Sequence, residues 1–386
     1  MCLKMKICYI YDAIYPWIKG GIEKRLYEIS RRLAERGYEV HLYGLKWWSG
    51  PDVLLKDGVY IHGTGKALNL YSNKRRSISE AVYFSMKVLS SCIKDKVDII
   101  DCQQFPYLSC FSSKFISLAR NTKFIITWYE IWRDYWLKYL GITGVIGMLI
   151  ERACAKMPHY AIAINNIIKR ELIMLGVPKE VIVTIPNGVD FYRIQNVKKQ
   201  SDSFDIVYAG RLVAHKRVDI LLRAVYEVKK EMPDIKCIII GDGPEKNKLI
   251  GLASELNLLR KNVYFLGFLE KDEDVYSYIK SSKVFVLPSI REGFPNTILE
   301  ANACGVPVII INSPKNASIE AVKDHYNGFK VGLSPQELAH KILWLIQNEE
   351  ARKKMCINAI NFAQKHDWGF IVEKLEKVYE KLFFET

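Results

Sequence analysis

The chain has no hydrophobic run long enough to cross a bilayer. Its longest uncharged apolar segment, 140–150, carries three glycines and falls far short of the ~20 residues a spanning helix needs. The opening residues 1–11 are interrupted by Lys4 and Lys6 and read into Asp12, without the apolar core and small-residue cleavage site of a signal peptide. The nine cysteines are odd in number and include no Cys-x-x-Cys pair, which excludes a disulfide framework and a zinc ribbon. A reducing cytoplasm is the expected compartment. No tract of biased composition or internal repeat suggests a disordered arm or a solenoid. The net charge is +14, yet no nucleic-acid-binding motif accompanies it, so nucleic acid is not an expected partner.

What is present is an ordinary globular composition, 49% hydrophobic and 25% charged, in 386 residues. That length exceeds one core and fits two domains. The basic excess sits in the first half, where residues 1–190 hold 27 basic against 17 acidic side chains, a net +10. Anionic lipid or phosphorylated substrates are the partners such a surface serves.

Short β-branched runs alternate with longer amphipathic stretches. The segment 6–11 is followed by 21–36, with Leu26, Ile29 and Leu33 at helical spacing, and then by 39–43, a β-α-β pattern. Further apolar runs at 98–102, 124–127, 160–164 and 181–185 continue it. The turn Pro186-Asn187-Gly188-Val189-Asp190 and the polar 196–202 end this half, and the alternation restarts with runs at 204–209, 235–241, 263–268, 284–288 and 306–311. The reading is two α/β domains with parallel sheets, 1–190 and 191–369, with a last helix in 370–386 crossing back to the first domain.

The densest chemistry lies in Arg291-Glu292-Gly293-Phe294-Pro295-Asn296-Thr297-Ile298-Leu299-Glu300, just after the run ending at Pro288. Gly293 permits a tight turn and Pro295 suits the first turn of a helix, whose open amides at Asn296 and Thr297 favour a diphosphate. Glu292 precedes that helix and Glu300 lies within it, so the two carboxylates flank the anion site. One would reach a sugar ring and the other ribose hydroxyls. Gly210-Arg211-Leu212-Val213-Ala214-His215-Lys216-Arg217 follows the run 204–209, and Gly241-Asp242-Gly243-Pro244 follows 235–241. Ligands of open α/β sheets bind outside strand carboxyl ends, where Arg211 and Lys216 would neutralise a departing diphosphate. Alone, each of these charges is an ordinary surface residue. Their order and spacing give them weight.

Together with Gly20-Gly21 after the first run, these segments resemble the family 4 (group 1) retaining glycosyltransferases of the GT-B fold, in their archaeal and bacterial form, and the likeness spans nearly the whole chain. The resemblance implies two Rossmann-like α/β/α domains facing across a cleft and a nucleotide-sugar, UDP-, GDP- or similar, bound by the second domain without metal or other cofactor. A sugar would pass, with retained configuration, to a glycan or lipid-linked acceptor on the first domain. Arg211 and Lys216 would stabilise the leaving diphosphate, Glu292 would hold sugar hydroxyls and Glu300 the ribose. Gly21, Gly210, Gly243, Gly293, Phe294, Pro295, Asn296 and Thr297 would line the donor.

One departure stands out. In 126–136 the family commonly has a histidine where this chain has Tyr129, beside Glu130. Tyrosine still donates a hydrogen bond, but its ordinary pKa of about 10 disfavours proton transfer. Tyr129 and Glu130 are therefore expected to touch the donor sugar or acceptor and to alter the sugar chosen. Trp132, Trp136 and Tyr139 fall at helical spacing as a core stripe. The competing reading is a lipid interface built from these aromatics, Arg133, Lys138 and 140–150, with Trp47-Trp48 and Lys74-Arg75-Arg76 nearby, peripheral on the inner face of a membrane. Two other functions fit the same motifs: a non-catalytic nucleotide-sugar or membrane binder, and another GT-B enzyme such as a sugar-nucleotide epimerase.

Overall fold

The computed structural model describes residues 5–72, 75–293, 296–314 and 316–384. Two of the expected donor residues, Phe294 and Pro295, lie outside them, as does Lys74 of the basic cluster. The chain divides into two compact units, 1–187 with 369–386, and 188–368.

The first unit runs β1 (Lys6–Ile10), α1 (Gly21–Glu35), β2 (Glu39–Lys46), β3 (Val53–Lys56), β4 (Val59–Lys66), β5 (Tyr71–Ser72), β6 (Arg75–Arg76), α2 (Ile78–Cys92), β7 (Ile99–Gln103), α3 (Leu108–Arg120), β8 (Lys123–Trp128), α4 (Tyr135–Leu140), α5 (Gly144–Lys156), β9 (Tyr160–Ala163), α6 (Asn166–Met174) and β10 (Ile182–Thr184). Its sheet has the order β10-β9-β8-β7-β1-β2-β4-β3. All neighbours are parallel except β3, which joins β4 antiparallel at the edge. The central strands read as continuous apolar runs because helices cover them; Ile7, Ile10, Ile99 and Ile126 are fully buried. Leu26, Ile29 and Leu33 turn the apolar face of α1 inward. The apolar runs do not single out β4, where Gly63 and Gly65 dilute the pattern.

The second unit runs α7 (Phe191–Gln195), β11 (Phe204–Ala209), α8 (Val218–Glu231), β12 (Cys237–Ile240), α9 (Lys246–Glu255), β13 (Val263–Gly267), α10 (Asp272–Lys280), β14 (Ser282–Leu287), α11 (Asn296–Ala303), β15 (Val308–Ile311), β16 (Gly328–Val331), α12 (Pro335–Gln347) and α13 (Glu349–Gln364). Its sheet is wholly parallel, in the order β13-β12-β11-β14-β15-β16. Strands β11, β12, β14 and β15 form the spine of one apolar core. Winding starts at β11, proceeds outward to β13, then returns to β14 and proceeds the other way. The two loops that leave β11 and β14 thus diverge and leave a crevice between them.

The last helix, α14 (Trp368–Phe384), belongs to the first unit from Gly369 onward. The chain changes unit three residues earlier than the apolar pattern placed the boundary. The reason is that 188–191 pairs with 366–368: Val189 N donates to His366 O (2.8 Å), Trp368 N donates to Val189 O (3.1 Å), and a Cβ on Gly188 would lie 2.6 Å from the Trp368 ring. In the first unit α14 is fixed by buried hydroxyls. Tyr379 Oη donates to Asp101 Oδ2 at 2.7 Å and lies 3.0 Å from Tyr9 Oη.

A Tyr379→Phe substitution leaves a fully buried carboxylate oxygen without that donor. It should lower stability by about 1–3 kcal/mol, read as a fall in the urea midpoint at unchanged slope.

Candidate functional site

In the second unit the crevice is built backbone-first. Gly210 N donates to Ile240 O (3.0 Å), Gly241 N to Gly267 O (2.7 Å) and Leu212 N to Asp242 O (2.8 Å), which laces the loops after β11, β12 and β13 together. Gly241 has φ +132°, and a Cβ there would sit 2.0 Å from Gly210 O; a Cβ on Gly243 would sit 2.3 Å from Leu212 O. The glycines at 241 and 243 are thus demanded by loop-to-loop contact, a role independent of any ligand. The close packing fixes where Gly210 and Arg211 emerge, with Tyr208 Oη donating to Arg211 O at 3.0 Å.

A short 3-10 turn, Ala214–Lys216, then leads into α8 through Arg217, which adopts φ +49° and pairs with Asp219. This turn aims Lys216 across the crevice, where its Nζ lies 2.5 Å from Glu292 Oε1. Both side chains are largely shielded, at 17% and 10% exposure, which strengthens the attraction relative to a surface pair. Glu292 is held from behind: Ala317 N donates to its carbonyl (2.9 Å), and the buried Asn316 Nδ2 donates to Ser289 O (2.9 Å) and Ile311 O (2.8 Å). Ile290 N donates to His215 O at 3.1 Å and closes the gap between the two loops. Burial, reinforced by the charges of Lys216, Arg291 and Arg211, pushes the His215 imidazole down to about 4. His215 is therefore neutral at pH 7, and three cations surround it. Arg291, which opens the motif in sequence without a role assigned there, adds its charge at His215.

Glu300 is partly buried on α11, with Tyr276 Oη 3.4 Å from its Oε1. Gly293, Asn296 and Thr297 are half-buried where that helix begins. The structure therefore joins Lys216 to Glu292, leaves Arg211 exposed with its charge felt at His215, and sets Glu300 on the following helix. Among the described residues no group of three or more His, Cys, Asp or Glu side chains is placed to hold a metal ion.

The first unit has its own switch point, between β1 and β7. Gly21 is exposed and opens α1 after the extended Gly20. Behind it lies a buried acidic group that the sequence does not mark: Asp12 just past β1, Glu23 in the first turn of α1, and Glu80 on α2, with Arg76 ion-paired to Asp12. Glu80 and Asp12 lie against each other, so a proton on Glu80 is shared toward the Asp12 carboxylate. Burial, and then the neighbouring Asp12 charge, raises Glu80 to about 8; burial raises Glu23 to about 7. The three acids are far apart in sequence, and only α2 crossing back over the sheet joins them, so no local spacing marks the group.

The expectation for Tyr129 is corrected by its surroundings. It is 6% exposed, with its hydroxyl donated inward to Gln103 Oε1 (2.5 Å) and its amide donated to Gln104 Oε1 (2.7 Å). Its pKa is raised chiefly by burial. It forms part of a polar network with Gln103, Asp101, Thr127 and Tyr379 and is not an open ligand. Glu130 is half-buried and accepts from Trp132 Nε1 at 2.7 Å. Trp132, Trp136 and Tyr139 pack on one another, over the buried Glu151, which accepts from the amides of Trp132 and Arg133 at 2.9 Å each. Asn187 accepts from the buried Arg25 at 2.8 Å and is structural.

The comparisons with known proteins cover both units. A family model described as "Glycosyltransferase Family 4" matches residues 19–193, and one described as "Glycosyl transferases group 1" matches 192–362. The uncharacterized glycosyltransferase MJ1069 of Methanocaldococcus jannaschii is 28% identical over 244 residues, and the match spans 60% of this chain and 61% of that protein. A component of the human phosphatidylinositol N-acetylglucosaminyltransferase is 24% identical over 412 residues, 98% of this chain and 77% of that one. Among solved structures, sucrose-phosphate synthase from Thermosynechococcus elongatus superposes with a TM-score of 0.81 at 18% identity, covering 99% of this chain and all of that one. Anabaena HepE in complex with UDP and glucose gives 0.75 at 20%, covering 98% and 100%. Such likeness assigns the fold, GT-B.

The raised acids give a pH prediction. A carboxyl whose pKa is higher folded than unfolded stabilises the fold fully below its unfolded value, near 4.5, and that stability is lost as pH rises through its folded value. Glu80→Gln should therefore raise the melting temperature over wild type more at pH 8.5 than at pH 5, with a difference of roughly 2–4 °C. An equal offset at both pH values would contradict the assignment.

Proposed function

Because this chain belongs to the family 4, group 1 glycosyltransferases, we propose that it moves a hexose-type sugar from a nucleotide-sugar to a glycan or lipid-linked acceptor. The observation that carries the reading is the shielded Lys216–Glu292 pair at the β11/β14 switch point, inside the field of Arg211 and Arg291. A concentrated positive field beside a carboxylate suits a substrate with an anionic diphosphate joined to a polyhydroxyl ring. The HepE structure, with UDP and glucose, and the human relative, named for N-acetylglucosaminyl transfer to phosphatidylinositol, support a nucleotide-sugar donor and a lipid-linked acceptor.

In this mechanism the diphosphate lies against Arg211, Lys216 and the open start of α11, while Glu292 accepts from sugar hydroxyls and Glu300 from the ribose. The bond from the anomeric carbon to the diphosphate breaks as the cations take up its charge. The acceptor oxygen forms the new bond from the same face, and its proton passes to the departing phosphate oxygen. Configuration is retained, and neither a protein nucleophile nor a metal enters the scheme. Lys216 has a second function before substrate arrives, since pairing with Glu292 keeps both heads aimed into the crevice. No helix of the described residues is long and apolar enough to cross a membrane. Access to a lipid-linked acceptor would come from peripheral contact with an anionic cytoplasmic leaflet, through α2–α5, where the helical carboxylates Glu80 and Glu151 are both buried.

The donor is tested by thermal shift with UDP, GDP, ADP and their sugars, since a ligand bound only by the folded state raises its stability. One nucleotide series should stabilise the protein, and no shift with any of them would sink the reading. Lys216→Ala should cut kcat by roughly 10²–10³-fold. Glu300→Ala should mainly raise KM for the donor, by about tenfold. Transfer to a lipid extract that is indifferent to both substitutions would refute the assignment of these residues.

A further inference from the structure

We propose that the first unit carries a second anion site at the opposite end of its sheet from the strand carboxyl ends, built to take a phosphate group attached to an apolar body. An open cavity of about 720 Å³ lies at the amino-terminal ends of β8, β9 and β10, where Lys123 and Tyr160 begin their strands. Three lysines line it, Lys114 from α3, Lys123 from β8 and Lys156 from the end of α5, and no lining residue is acidic. The remaining wall is largely apolar, with Phe124, Met157, Pro158 and Val177. Open α/β sheets bind their substrates outside strand carboxyl ends, so this cavity is separate from the proposed transfer site, and it stands whether or not that reading holds.

Lys114 carries the argument furthest. It is half-buried, with its ammonium 5.6 Å from the centre of the Phe124 ring, and no carboxylate among the described residues pairs with it. Burial pushes it below the ordinary lysine range, as expected of a cation drawn from water without a counterion. His159 does not take the anion itself. Its Nδ1 lies 2.5 Å from Met157 O, and its Nε2 accepts from Trp128 Nε1 at 3.3 Å, which occupies both nitrogens and leaves a neutral ring with the Nε2 position as acceptor. The lysines therefore supply the binding charge, and the aromatic and aliphatic wall supplies the contact for whatever carries the phosphate. A compact phosphate answers several ammonium groups at once. Its carrier is either a soluble metabolite or a lipid headgroup.

The test keeps the donor crevice saturated with UDP, so that added phosphate reports only on other sites. Thermal shift is then followed against inorganic phosphate, dihexanoyl phosphatidic acid below its micelle concentration, and the uncharged dihexanoyl glycerol. The expected result is stabilisation by one or both anions and none by the neutral lipid, with about tenfold weaker binding in Lys114→Ala/Lys156→Ala and an unchanged response to UDP. A response to phosphatidic acid alone identifies a lipid headgroup, and a response to inorganic phosphate as well identifies a soluble phosphorylated ligand. If the double variant does not fold, Lys156→Ala alone, with the His159 ring resonances followed by NMR, gives the same reading. No anion-dependent shift, or a shift equal in wild type and variant, overturns the proposal.

Discussion

Parallel strands must be rejoined by crossovers of one hand, so a sheet that grows outward from a central strand in both directions leaves a split at its middle. In the second unit that split falls between β11 and β14, and the rest of the site depends on it. The loop after β11 delivers Arg211 and Lys216, and the loop after β14 delivers Arg291 and Glu292. Because strands β11 and β14 are hydrogen-bonded neighbours, residues 76 positions apart in the chain meet as an ion pair. The glycines at 241 and 243 secure this by letting neighbouring loop backbones touch where a side chain would collide.

The two switch points differ in sign. The one in the second unit is cationic, and burial, reinforced by those cations, holds His215 neutral. That in the first unit is acidic and partly protonated, with Glu80 and Glu23 raised by burial. The net +10 of the first half therefore does not describe its switch point. Arg76 is paired there with Asp12, but other basic side chains lie elsewhere, including Lys114, Lys123 and Lys156 around the cavity at the far end of the sheet. A net charge fixes the sum of the field, and only the fold distributes it.

Buried polar chemistry also explains how the last helix is held. Asp101 is 2% exposed and accepts from Tyr379, Thr127 and Gln103; burial raises its pKa to about 6, while those hydrogen bonds act to lower it. Tyr129 attaches to the same network through Gln103. Its hydroxyl is thereby used in holding β7 to the segment after β8, which is why it turns from the site where its neighbours in sequence placed it. Arg25 plays a similar part for the segment that leads out of the first unit, donating to Ile185 O, Pro186 O and Asn187 Oδ1.

The sequence by itself determined the parallel α/β class, the strand ends and the charged cluster that follows them. Apolar runs of strand length, and motifs placed directly after them, are local signals, and ligand sites of such sheets lie at strand ends. Arg211, Lys216 and Glu292 were legible on that ground. Only the tertiary structure decided that Lys216 pairs with Glu292, that Gly241 and Gly243 serve loop packing, and that Tyr129 faces inward. It alone gathered Asp12, Glu23 and Glu80 into one buried group and three lysines into one cavity. These depend on which crossovers bring distant segments together and on how deeply each charge is buried, and neither quantity is encoded in the spacing of residues along the chain.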